Sequence, residues 1–135
     1  MINLSPDAYD NATPTNPTLT LGSSSFHAVY GIITPGADGD RINWKATLQA
    51  GTYSTMMISI SGSGSGIINV VADGTTLGSF DTYSASDVYN ARYTNTNVSI
   101  ATSGPKTIST VVNGKNGSSS GFRTLVSWIA IWKTD

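Results

Sequence analysis

Arg41-Ile42-Asn43-Trp44-Lys45-Ala46-Thr47-Leu48, then Gln49-Ala50-Gly51, then Thr52-Tyr53-Ser54-Thr55-Met56-Met57-Ile58-Ser59-Ile60: these residues decide the fold class. Ile42, Trp44, Ala46 and Leu48 alternate with Asn43, Lys45, Thr47 and Gln49. A period of two places the first set on one face of a strand, turned to a core. Ala50-Gly51 breaks the run, and Thr52 to Ile60 starts a second strand rich in β-branched, aromatic and methionine side chains. Ser61 to Gly66, SGSGSG, reads as a flexible connection to a third strand, Ile67 to Ala72. Asp73-Gly74 tolerates the positive φ of a tight hairpin, and the chain returns through Leu77 to Phe80.

Strand signals continue on both sides of this centre. Leu19 and Leu21 begin one strand, Phe26 to Thr34 forms another, and Pro35 to Asp40 is a loop. The polar passage Asp81 to Asn97 reads as one or two surface loops. Val98 to Ala101 and Lys106 to Val112 are strands joined by a turn at Thr102 to Pro105. A loop with two Asn-Gly pairs, Asn113-Gly114 and Asn116-Gly117, leads to the last strand, Phe122 to Lys133. Both alternating sets of that strand are apolar toward its end, which predicts a central strand covered on both faces. The expected fold is all-β: a jelly-roll-like antiparallel β-sandwich of about eight strands occupying 19–135. Residues 1–18, with Pro6, Pro14 and Pro17, read as an extended N-terminal arm, because proline fixes φ and lacks a ladder donor.

Composition agrees and removes several functions. Glu is absent and Gln49 is the only Gln, whereas Ser, Thr, Gly and Asn abound, a mixture that favours strands and turns over helices. The absence of cysteine excludes a disulfide framework, a thiolate metal site and a cysteine nucleophile. Net charge is −1 with no charge runs, so neither nucleic acid nor an anionic membrane is an expected partner. Met1 to Asp7 has neither the basic nor the apolar region of a secretory signal, which predicts either a product that works without that export route or a chain that has been trimmed.

No catalytic constellation stands out. Glycoside chemistry needs two carboxylates at a set separation, but the Asp residues here sit mostly beside Gly, Ser or Thr in turns. His27 has no second histidine to join it. The Gly-Ser run at 62–66 has neither a helix after it nor the lysine of a phosphate loop. Asp38 and Asp40 are candidate oxygen ligands for Ca²⁺, two where six to eight are needed, so a plain turn is the favoured reading and no cofactor is expected. Trp44, Trp128 and Trp132 are expected in the core or a subunit interface. Tyr83, Tyr89 and Tyr93, with Asn90 and Arg92, are the candidate recognition surface, since tyrosine offers a flat apolar face and a hydroxyl.

Leu48 to Tyr53, Gly66 to Gly74, Leu77-Gly78, Asp81, Lys106-Thr107-Ile108 and Lys115-Asn116, in that order, resemble the galactose-binding-like β-sandwiches. That group includes carbohydrate-binding modules and small jelly-roll modules of tailed-phage virion proteins, the latter being the nearer form. The resemblance implies a structural virion protein, a capsid decoration (cement) protein that forms a homotrimer. It would bind the major capsid protein or another virion protein through its sandwich and through arm contacts at Pro6, Tyr9, Pro14 and Pro17, and be found in the virion after synthesis in the host cytoplasm. The alternative is a carbohydrate-binding module or the receptor-binding tip of a tail fibre, with a glycan as partner. Modules of this group often hold Ca²⁺ through acidic side chains near the first strand. This chain has no acidic cluster there.

Overall fold

The computed structural model describes residues 1–4, 11–13, 19–22, 30–33 and 36–135, with side chains described for 1–4 and 36–135. Eleven strands lie among them: β1 (Ile2–Leu4), β2 (Asn11–Thr13), β3 (Leu19–Gly22), β4 (Tyr30–Ile33), β5 (Arg41–Leu48), β6 (Gly51–Ser61), β7 (Ile67–Ala72), β8 (Thr75–Asp81), β9 (Val88–Ile100), β10 (Gly104–Val112) and β11 (Thr124–Lys133). A six-stranded sheet runs β3-β4-β11-β6-β9, with β1 also paired to β11, and a five-stranded sheet runs β2-β5-β10-β7-β8. Every strand pair is antiparallel. This is the jelly-roll-like sandwich expected, and no helix occurs among the described residues.

The period of two in β5 works as read. Ile42, Trp44 and Leu48 are buried, and Ala46 packs against the same cluster. Tyr53 and Met57 of β6, Ile68 and Val70 of β7, Ile108 of β10 and Ile129 and Ile131 of β11 meet them from both sheets. Burying each large side chain of this kind contributes about 1.5–3 kcal/mol. Between β5 and β6 the chain changes sheets at Gln49-Ala50, and Tyr53 pins the crossing. Its hydroxyl donates to the Gln49 carbonyl at 2.9 Å and accepts from the Gln49 amide at 3.1 Å. The β7–β8 hairpin turns through Asp73 (φ 43°) and Gly74 (φ 88°), the two positive values that this tight turn requires.

The structure corrects the sequence reading at two places. Asp81 to Asn97 is not mainly loop: from Val88 it is strand, continuous with the strand read from Val98, and the two form the thirteen-residue edge strand β9. Its half-buried positions, Ala91, Tyr93, Asn95 and Val98, alternate with exposed ones, but the inward set is partly polar and the alternation slips at Asn97, which has φ 62°. Asn95 is accommodated inward because its amide donates to the Leu77 carbonyl of β8 at 2.7 Å, closing one side of the sandwich. In β11 a register shift between Val126 and Trp128 turns Val126 to the core with Ile129 and Ile131. Trp128, Ala130 and Trp132 therefore lie on the outward face, the two rings half-buried and Ala130 buried between them, whereas Trp44 is in the core. Two of the short strands, β1 and β2, fall within 1–18. Ile2–Leu4 pairs with β11 and Asn11–Thr13 with β5, so these short pieces hydrogen-bond to the chain's own sheets.

Candidate functional site

One end of the sandwich gathers the loops at 36–40, 62–66, 82–87 and 113–123. Ser61, the last residue of β6, pairs with Val88 on one side, and Gly62 bridges to Tyr83 on the other. The Gly62 amide donates to the Thr82 carbonyl at 3.2 Å and the Ser84 amide donates to the Gly62 carbonyl at 3.2 Å. The 61–66 stretch, expected to be a flexible connection, is tied on every side. Ser120 N–H donates to the Ser63 carbonyl (2.9 Å), Arg123 N–H to that of Gly64 (2.9 Å), and Gly66 N–H to that of Arg123 (3.0 Å). Two hydroxyls complete the knot: Thr82 Oγ1 donates to the Gly66 carbonyl at 2.6 Å and Ser119 Oγ to the Ser65 carbonyl at 2.8 Å.

Glycine is what permits this convergence. A Cβ on Gly121 would sit 3.2 Å from the Gly64 carbonyl oxygen, and one on Gly62 would meet the tips of Arg123 and Asp87. In a low-complexity run, side-chain absence reads as freedom; here it is close approach of three backbone segments.

On this platform Tyr89 is 43% exposed beside Val88 at 44%, and Tyr83 is half-buried. Tyr83 N–H donates to Asp81 Oδ1 at 3.0 Å, and Asp81 Oδ2 accepts from Asn116 Nδ2 at 2.7 Å. The Lys115 ammonium stands 5.1 Å from the centroid of the Phe122 ring. Arg123 and Asp87 form an ion pair at 3.3 Å. Asp38, Asp40, Asp81 and Asp87 stand against Lys115 and Arg123 at this end, so the surface offers aromatic faces, hydroxyls and amides with a small excess of negative charge.

The expected recognition set divides. Tyr83, Tyr89 and Asn90 (φ 56°) belong to this end. Arg92 is further along β9, exposed on the outward face opposite Ile58. Tyr93 turns the other way: its ring lies 5.6 Å from that of Phe80 and its hydroxyl is 2.6 Å from Ser61 Oγ. Asp87, Lys115, Phe122 and Arg123 escaped the sequence reading, because their nearness to Tyr83 depends on which loops share one end of the sandwich. Asp38 Oδ1 accepts from the Gly114 amide at 2.6 Å, and the buried Asp40 accepts from the Ala37 amide at 2.9 Å, so both carboxylates fix loops. Among the described residues no group of three or more His, Asp or Glu could hold a metal. His27, Pro6, Tyr9, Pro14 and Pro17 lie outside the described residues. At the opposite end, Lys45, Asp73, Pro105, Lys106 and Thr107 line a depression of about 170 Å³.

No protein-family model matches the sequence, and no curated protein matches it. Solved structures do. The CBM36-1 domain of a multidomain xylanase from the hindgut metagenome of Trinervitermes trinervoides superposes with a TM-score of 0.70 at 18% identity, covering 99% of this chain and 98% of that one. A carbohydrate-binding module from Cellvibrio mixtus lichenase 5A, in complex with cellotriose, gives 0.72 at 13% identity over 99% and 98%. Paenibacillus xanthan lyase gives 0.71 at 18% identity, covering 98% of this chain, which spans only 13% of the lyase. At such identities the likeness is one of fold, and the fold is that of carbohydrate-binding modules.

Proposed function

We propose that this chain is a non-catalytic carbohydrate-binding module that holds a neutral glycan at the loop end of the sandwich. The observation that carries the reading is the knotted platform bearing Tyr89, exposed, and Tyr83 beside it, with hydroxyls and amides around them. A sugar ring has an apolar face and a rim of hydroxyls, and tyrosine meets both, the face by its ring and the rim by its hydroxyl. The platform is hydrogen-bonded before any ligand arrives, so binding costs little ordering entropy. A fold shared with carbohydrate-binding modules supports the reading by analogy. The capsid-decoration reading draws no such support from the similar structures.

The test is calorimetric titration with cello- and xylo-oligosaccharides beside a glycan array, on the wild type and on Tyr83→Ala/Tyr89→Ala. Saturable binding that drops about tenfold per ring removed, ~1.4 kcal/mol each, supports the site. Unaltered glycan affinity in the double variant would move the site elsewhere, and a blank array would end the proposal.

A further inference from the structure

The loop at 113–121 contains two copies of one chemical motif, Asn113-Gly114 and Asn116-Gly117, in different hydrogen-bonding states. Conversion of an Asn-Gly pair begins when the glycine nitrogen loses its proton to hydroxide and attacks the asparagine Cγ. The new N–Cγ bond closes a succinimide as the Cγ–Nδ2 bond breaks and ammonia leaves with a proton from water. Water then opens the ring. Cleavage at Cγ gives aspartate, and cleavage at the main-chain carbonyl carbon gives isoaspartate.

At Asn113 every requirement is opposed. The Gly114 N–H donates to the Asp38 carboxylate at 2.6 Å, which holds the proton that must leave. The backbone is fixed on both sides, since Asn113 N–H donates to the Ile67 carbonyl at 2.8 Å and the Gly114 carbonyl accepts from Ile67 N–H at 3.0 Å. At Asn116 the carbonyl also accepts from Ser119 N–H at 2.9 Å, but the glycine nitrogen that must attack is in the opposite state. Gly117 is exposed, has open space around it, and its amide has no acceptor among the described residues. Ser118 N–H donates to Asn116 Oδ1 at 2.9 Å, closing an Asx turn that spans the Gly117 peptide. That donor also faces the oxygen on which negative charge develops as the nitrogen attacks.

We propose that Asn116 is a site of spontaneous conversion to aspartate and isoaspartate in the folded protein, and that Asn113 is protected. The consequence is local. Asn116 Nδ2 now donates to Asp81 Oδ2, and Asp81 holds the Tyr83 amide. A carboxylate at 116 sets two negative charges against each other and removes the donor, releasing the 115–121 loop from the end of β8. The inference does not depend on what the loop end binds.

The experiment is incubation of the folded protein in mildly alkaline buffer, followed by peptide mapping for the amide-to-acid mass gain and by isoaspartate detection at each site. A fully denatured sample gives the intrinsic rates. Conversion at Asn116 at least about tenfold faster than at Asn113 in the folded state is expected, the factor that one charge-assisted hydrogen bond represents in a rate. Asp38→Ala should raise the rate at Asn113 and leave that at Asn116 unchanged. Equal folded-state rates, a faster Asn113, or no conversion at Asn116 where the denatured chain converts would overturn the proposal.

Discussion

The hydroxyl of Tyr93 lies 2.6 Å from Ser61 Oγ, inside the sandwich and one residue before the loop that Tyr83 borders. Ser61 is buried, and its other neighbours are the Val88 pairing on β9 and the bridge from Gly62 to Tyr83. Tyr93 therefore acts on the platform from beneath. Tyr93→Phe should lower stability by about 1 kcal/mol through the lost hydrogen bond. Any weakening of glycan affinity should be smaller than that of Tyr83→Ala/Tyr89→Ala. Chemical denaturation and titration of the same samples separate the two effects; a larger affinity loss in Tyr93→Phe than in the double variant would make Tyr93 a ligand contact.

Phe80 folds its ring back over Gly78, where an added Cβ would collide with it. Gly78→Ala must push that ring off its place and away from Tyr93, 5.6 Å distant. A cost of about 1–3 kcal/mol is expected, as for overpacking elsewhere. Combined with Phe80→Leu, whose side chain is shorter, the two losses should be less than additive, which a double-mutant cycle in denaturant reads directly.

Gly74 at φ 88° completes the hairpin with open space around it, so only backbone strain opposes a side chain there. Gly74→Ala should cost about 1 kcal/mol, with the strain exceeding the entropy gained in the unfolded chain. A thermal midpoint equal to or above wild type would contradict the assigned turn.

The Thr52 amide, 3.0 Å from Asp135 Oδ2, holds the Asp135 carboxyl below its ordinary range, with the Lys133 ammonium assisting at 3.2 Å. The folded value is lower than the unfolded one. The stabilisation is therefore present above the ordinary carboxylate pKa and lost as pH falls through the depressed folded value. In an NMR titration the Thr52 amide shift should follow the Asp135 carboxyl in the acid range. In Asp135→Asn that acid-range step should vanish.

What the sequence disclosed, and what it concealed, follow from locality. The alternation of Ile42, Trp44 and Leu48 and the Asp73-Gly74 turn are properties of neighbouring residues, and both were legible. Only the end of β9, from Val98, was legible; its first ten residues were not, because an edge strand with one exposed face and an Asn95 satisfied by Leu77 carries little apolar periodicity. The bulge before Trp128 was also hidden, since its effect on facing is defined only against β6. At the loop end, Tyr83 and Tyr89 were readable as aromatic residues in a polar passage. Their juxtaposition with Asp87, Phe122 and Arg123 arises from long-range connections: Gly62 to Tyr83, Ser65 to Arg123, and the Asp87–Arg123 pair.

The place of β11 bears on how the protein is made. Its ten residues are the centre of the six-stranded sheet, pairing with β6 on one side and with β4 and β1 on the other, yet they come last among the strands. During synthesis β1, β4 and β6 emerge from the ribosome with their eventual partner still untranslated. Each waits with an open edge, able to pair with another chain in the meantime. The six-stranded sheet closes in one late, high-contact-order step. Shielding of the nascent chain until Thr124–Lys133 has emerged therefore governs the yield of soluble product, and a truncation before Thr124 should aggregate instead of folding to a smaller domain.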